Sequence, residues 1–185
     1  YGKWNNEDVC AFAEDEQGNI LLGTLDGLHL YAPSTQRVTV PYKELDHQIC
    51  WVLYKDSKQR IWVGTYQENL YCIDKGKVRL YSYPSGGYQQ DPDFRNIRAI
   101  IEDKKGRMWI SVYGGVGSLD VNTGKITLLV EKHPELKEYK TADALALDNS
   151  GKLIVGAYNG LYIYDQETDQ VWIPERDEPS NKLFI

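Results

Sequence analysis

Apolar and polar positions along this chain return four times to one arrangement. A short apolar run leads into a polar turn opened by Asp, and a second apolar run follows and ends on a small residue. The copies span residues 14–24, 55–65, 102–112 and 147–157, and Asp15, Asp56, Asp103 and Asp148 lie 41, 47 and 45 residues apart. Gly follows the Asp three residues later in three copies (Gly18, Gly106 and Gly151), with Gln59 in the remaining one. Asp bonds its own backbone two residues on, and Gly accepts positive φ, so the phrase predicts a tight turn between two strands. The first strands are expected over 9–14, 49–55, 97–102 and 144–147, and the second over 20–24, 61–65, 108–112 and 153–157. Their middle positions, Leu21, Trp62, Trp109 and Ile154, are all bulky, which fits a side chain wedged into a neighbouring sheet.

Two further strands complete each unit. The third run over 28–31, 70–73, 116–120 and 161–164, and the fourth over 38–40, 78–81, 126–130 and 171–173. Short strands at this spacing, with turns between them and almost no helical periodicity, make the chain all-β. Four short strands in a unit of roughly 45 residues predict a β-propeller blade. The chain is then a single domain of about four four-stranded blades, over 5–44, 45–92, 93–140 and 141–179, with residues 180–185 opening a further one. A sandwich would not repeat the phrase, and a solenoid would need shorter repeats.

Composition narrows the function. With 14 Tyr and 5 Trp among 185 residues the chain favours strands. A formal net charge of −6 argues against nucleic acid, whose phosphates need a basic footprint. No stretch approaches the roughly 18 apolar residues of a membrane span, so membrane attachment is expected only through segments downstream. The chain opens at Tyr1 and reads as a mature product or an excised piece. Cys10 and Cys50 read as equivalent positions of the first two repeats and as buried small hydrophobes; three cysteines cannot all pair with one another.

The phrase Ile61-Trp62-Val63-Gly64-Thr65, the run from Glu102 to Ile110, and Gly160-Leu161-Tyr162-Ile163-Tyr164-Asp165 resemble the two-component regulator propeller repeat. The likeness extends over nearly the whole chain. Gln59 for the turn Gly, Glu68-Asn69 for Asp-Gly and Ser111-Val112 for Gly-Thr are departures. The resemblance implies an extracytoplasmic, periplasmic sensor region of a hybrid two-component system, which in Bacteroidetes-type bacteria often responds to oligosaccharides. It also implies a seven-bladed ring, of which four blades are a part, and a histidine kinase downstream. An open ring exposes apolar faces on its terminal blades, so self-association through those edges is expected.

In a propeller the loops joining second to third strands share a face with the loops joining blades. The positions just after the second strands are Leu25, Tyr66, Tyr113 and Tyr158, with Gln67, Glu68 and Asn159 beside them. Aromatic rings beside amides and carboxylates suit an oligosaccharide, whose C–H face stacks while its hydroxyls bond the rim. The same tyrosines could instead pack between blades. The longest connection, 83–96, adds Tyr88 and Arg95 as candidates, and the connection over 131–141 carries His133. Trp51, in a first strand, is expected to fill an inter-blade core rather than face the channel. His29, His47 and His133 form no metal pair, Gly114-Gly115-Val116-Gly117 joins two strands with no helix after it, and the repeat Asp residues lack the spacing of a calcium loop. No catalytic residue, metal or cofactor is expected. The rival readings are a protein-interaction scaffold and a glycan-acting hydrolase or lyase.

Overall fold

Four carboxylates set the phase of the chain. In the computed structural model, which describes residues 8–66, 69–82, 97–112, 114–139 and 141–174, each repeat Asp folds the turn after it onto itself. Asp56 Oδ1 accepts the backbone N–H groups of Lys58 and Arg60, both at 2.9 Å, while Oδ2 accepts from Arg60 Nε at 2.6 Å and the Trp62 indole at 2.8 Å. Asp103 repeats the pattern with Lys105, Arg107 and Trp109. Asp15 and Asp148 keep the backbone bonds and exchange Arg for Asn19 and Ser150. The third residue after Asp is left-handed in every copy: φ is +77° at Gly18 and Gly106, +95° at Gly151 and +65° at Gln59.

Those turns join sixteen strands into four antiparallel sheets. Blade 1 holds β1 (Val9–Glu14), β2 (Ile20–Thr24), β3 (Gly27–Ala32) and β4 (Arg37–Thr39). Blade 2 holds β5 (Cys50–Lys55), β6 (Ile61–Thr65), β7 (Asn69–Asp74) and β8 (Lys77–Ser82). Blade 3 holds β9 (Ile100–Glu102), β10 (Met108–Val112), β11 (Gly115–Leu119) and β12 (Ile126–Leu128). Blade 4 holds β13 (Ala142–Leu147), β14 (Leu153–Ala157), β15 (Gly160–Asp165) and β16 (Gln170–Trp172). Each sheet pairs its strands in chain order. The first strands pack on one another across blades, β1 on β5, β5 on β9 and β9 on β13. They are therefore the inner strands, with the fourth strands outside, as in a β-propeller.

The alternation of side chains places the cores between blades. Leu21, Leu28, Cys50, Leu53, Ile61, Val63 and Tyr71 fill the first interface, and Trp62, Leu70, Tyr81, Ile97, Met108 and Ile110 the second. Trp109, Val116, Leu153, Val155, Tyr162 and Tyr164 fill the third. Leu21, Trp62 and Trp109 are thus wedged into the following blade. Ile154, their counterpart, lies in the row Ile154–Ile163–Trp172 on the far side of blade 4, where Trp172 is 60% exposed. On blade 1 the opposite face carries Phe12, 68% exposed and paired with Leu22.

Three features differ from expectation. β9 begins at Ile100 because Ser111, standing where other blades have Gly, accepts the N–H groups of Arg98 and Ala99 on its own hydroxyl at 3.1 and 2.8 Å. β12 stops at Leu128, and 3-10 turns over Leu129–Glu131 and Pro134–Glu138 carry the chain on. Val9 and Cys50 face Thr24 and Thr65, so Cys50 is the counterpart of Val9, and Cys10 that of Trp51. The equivalence of Cys10 with Cys50 is therefore corrected: Cys10 lies five residues before its turn Asp and Cys50 six, and β1 and β5 bulge at the same level, one residue after the first pair.

Candidate functional site

In blades 1, 2 and 4 the residue after the second strand is tied to the residue before the inner strand. Leu25 N–H donates to Asp8 O at 3.3 Å, Tyr66 N–H to Ile49 O at 3.0 Å, and Tyr158 N–H to Thr141 O at 3.0 Å. These three positions occupy one rim. On the same face, the connections between blades lean on the turns between second and third strands. Asn159 Nδ2 donates to Glu138 O at 2.6 Å, and His47 Nδ1 meets Asp26 Oδ1 at 2.7 Å. The expected sharing of one face by the two loop sets is what the structure shows.

On blade 4 that face opens into a cleft of about 690 Å³ lined by Tyr139, Tyr158, Asn159, Leu161 and Pro174. Two elements build it. The 3-10 turn ending at Glu138 delivers Tyr139, whose ring stands edge-on to Tyr162 at 5.5 Å. The β14–β15 turn delivers Tyr158 and Asn159, and its exit needs Gly160, whose φ of +138° suits no L side chain. Tyr158 is 88% exposed, so packing between blades does not describe it; Tyr66 is half-buried. Among the sequence candidates, Tyr158 and Asn159 share this cleft, and Tyr66 takes the equivalent place two blades earlier. Gln67, Glu68, Tyr88, Arg95 and Tyr113 lie outside the described residues.

A second group escaped the sequence reading. Bulges single out Cys10, Trp51 and Asp143 in β1, β5 and β13, and Arg98 stands at the same place before β9. Arg98 Nη1 donates to Asp143 Oδ1 at 3.0 Å across the blade 3–blade 4 junction. Trp51 joins none of the three inter-blade cores, contrary to the expectation that it fills one. Its indole N–H is buried with no acceptor among the described residues, an arrangement that costs about 1–3 kcal/mol. The signal was present as a fixed offset of five residues before each repeat Asp, but the unlike residues there (Cys, Trp, Arg, Asp) concealed it.

The opposite face is chemically settled by its own contacts. A cleft of about 410 Å³ between blades 3 and 4 gathers Lys104, Lys105, Arg107 and Lys152. Each has a partner: Asn149 O at 2.7 Å, Glu167 at 2.6 Å, Asp103 at 2.7 Å and Asp165 at 3.2 Å. His133 also serves the scaffold, meeting Asp169 Oδ1 at 3.1 Å from the connection ahead of blade 4. The Tyr164 hydroxyl, donating at 2.7 Å, and then His133 hold the Asp169 carboxyl down to about 2. Burial, and then the neighbouring Cys10, pushes the Cys50 thiol up to about 12, and Cys72 rises to about 11. Cys50 and Cys72 are thus buried apolar groups, while Cys10 is half-buried. Among the described residues no group of three or more His, Cys, Asp and Glu side chains is placed to hold a metal ion, and no helix is long and apolar enough to cross a membrane.

The two component regulator propeller family matches residues 44–67 and 92–114, the Asp-turn phrases of blades 2 and 3. No curated protein matches the chain significantly. Among solved structures, the extracellular domain of a hybrid two component system from B. thetaiotaomicron is similar with a TM-score of 0.69 and 19% identity, over 92% of this chain and 22% of that one. A catalytically inactive virginiamycin B lyase from Staphylococcus aureus, with quinupristin, gives 0.67 and 16% over 98% and 59%. PorZ of Porphyromonas gingivalis, a surface component of the type-IX secretion system, gives 0.62 and 13% over 89% and 27%. These likenesses show the β-propeller fold, and the chain spans from about a fifth to three fifths of those structures' lengths.

Proposed function

We propose that this chain, a β-propeller carrying two-component regulator propeller repeats, is part of the extracytoplasmic input region of a hybrid two-component signalling protein. On this reading its loop face binds an oligosaccharide and the propeller passes the event to a histidine kinase elsewhere in the protein, without catalysing a reaction itself. The observation that carries the reading is the blade 4 cleft, where the exposed ring of Tyr158 and the edge-braced ring of Tyr139 flank the Asn159 amide. Aromatic faces stack on the C–H face of a pyranose, and an amide meets its hydroxyls. The extracellular hybrid two-component domain among the similar structures supports the class of protein.

Binding must favour one of two arrangements for a signal to pass. The inter-blade contacts at this face, such as Asn159 to Glu138, are where a ligand spanning two loops would bias the placement of blade 4 on blade 3. The experiment is a thermal-unfolding screen of the purified chain against an oligosaccharide library, with chromatography of the mixtures. A raised Tm with every sugar recovered intact is expected. Conversion of a sugar, or no shift with any member, would contradict the reading.

A further inference from the structure

The inner strands break their pairing at one level only. Around that break, side chains alternate between the two neighbouring interfaces: Cys50 and Leu53 enter the blade 1 side, Val52 and Tyr54 the blade 3 side. The bulge residue is surplus to this alternation. Bulges re-aim a side chain out of the regular array and recur at binding sites. Because the first strands are the inner ones, the row Cys10, Trp51, Arg98 and Asp143 runs around the axial end of the blades. It lies within two residues of Asp8, Ile49 and Thr141, the carbonyls that anchor the rim.

We infer that Trp51, Arg98 and Asp143 form an axial floor to the rim site, and that this floor takes a neutral oligosaccharide rather than an acidic one. The inference rests on the reading of the rim as a sugar site and adds the ligand's charge class and three residues. Trp51, turned out of the alternation by its bulge, supplies a partly exposed ring for stacking. Arg98 and Asp143 place a planar donor fork beside a carboxylate acceptor, each side chain 47% exposed. Adjacent sugar hydroxyls match that pair, one accepting from the guanidinium and the other donating to the carboxylate. A uronate or sulfate has no such match, because the Arg98 charge is already answered by Asp143. The chain's net charge of −6 adds a repulsive field against polyanions.

The test uses neutral gluco-, manno-, xylo- and arabino-oligosaccharides alongside oligogalacturonides and heparin fragments. Each is titrated calorimetrically into wild-type chain and into Trp51→Ala, Asp143→Asn and Tyr158→Ala. Circular dichroism melting certifies the fold of each variant, and Asp143→Asn, which alters an exposed side chain, is the variant least able to disturb it. The expected result is a neutral ligand whose Kd rises by about tenfold or more in Asp143→Asn and Trp51→Ala, as loss of one well-made contact to a charged or stacked partner gives. Acidic probes are expected to bind at least about tenfold more weakly than the neutral ligand. A ligand lost in Tyr158→Ala but bound equally by the two floor variants would overturn the floor and leave the rim standing. Tighter binding of an acidic probe would overturn the charge class alone with the rim intact. No binding of any sugar would overturn the rim reading and this inference together.

Discussion

Gln59 occupies, with φ at +65°, a left-handed position that the other three Asp turns give to Gly. A Cβ at left-handed φ is strained, so Gln59→Gly should stabilise the protein by roughly 0.5–1 kcal/mol, read as a higher midpoint in urea. The carboxylates beside that turn work in the other direction. Asp56→Ala removes the acceptor for Arg60 and the Trp62 indole inside a buried turn, and should cost about 3 kcal/mol by the same measurement. Burial by itself would raise the Asp56 and Asp103 carboxyls. The indole, backbone and guanidinium donors outweigh it and hold both below the usual range. A depressed carboxyl contributes stability that is complete above the unfolded value of about 3.9 and is lost as pH falls toward the folded value. The chain should therefore weaken steeply below about pH 4, and Asp103→Asn should flatten that acid limb in urea titrations at stepped pH.

Glycines at the ends of second strands separate neighbouring elements to different degrees. A Cβ on Gly64 would come within 2.5 Å of Ile97 and 2.6 Å of Val52, whereas on Gly156 the nearest atom is Ala144 Cβ at 3.5 Å. Gly64→Ala should cost about 1–3 kcal/mol through overpacking between blades 2 and 3. Gly156→Ala should be close to neutral, and the pair is compared in one thermal-unfolding series. The contrast also explains what the sequence made legible. The second strands β2, β6, β10 and β14 fall where the pattern predicts to the residue, because each is bounded by the Asp turn and a small residue with a backbone reason to be there. The inner strands were less legible. A bulge turns one residue out of the alternation without changing the apolar count, so Trp51 read as core and Arg98 and Asp143 drew no notice, while Cys10 and Cys50 were matched by residue type across offsets of five and six from their Asp. The early end of β9 was hidden too, since it depends on a Ser111 hydroxyl replacing strand pairing. On the rim, the pattern marked Tyr66, Tyr158 and Asn159, but Tyr139 belongs to a connection whose 3-10 turns carry no period.

The whole molecule is an arc of four blades with three filled interfaces. Its two terminal faces carry the same kind of residue that the interior interfaces bury: Phe12 on blade 1, and Ile154, Ile163 and Trp172 on blade 4. Burying such side chains is worth about 1.5–3 kcal/mol each. The isolated chain is therefore expected to self-associate through these faces, with sedimentation velocity showing mass that grows with concentration and falls on Trp172→Glu. A monomer at every concentration would contradict this. The same arc brings the rim and the inner bulges to one end, so that on the proposed reading a ligand reaching from Tyr158 toward the axis would touch several blades at once. That convergence is the centre of the account. Its most direct measurement is calorimetric titration of the neutral oligosaccharide giving the largest thermal shift into wild-type, Tyr158→Ala and Asp143→Asn chains. Saturable binding that each substitution weakens by about tenfold or more is the predicted result, and equal affinity in all three would contradict it.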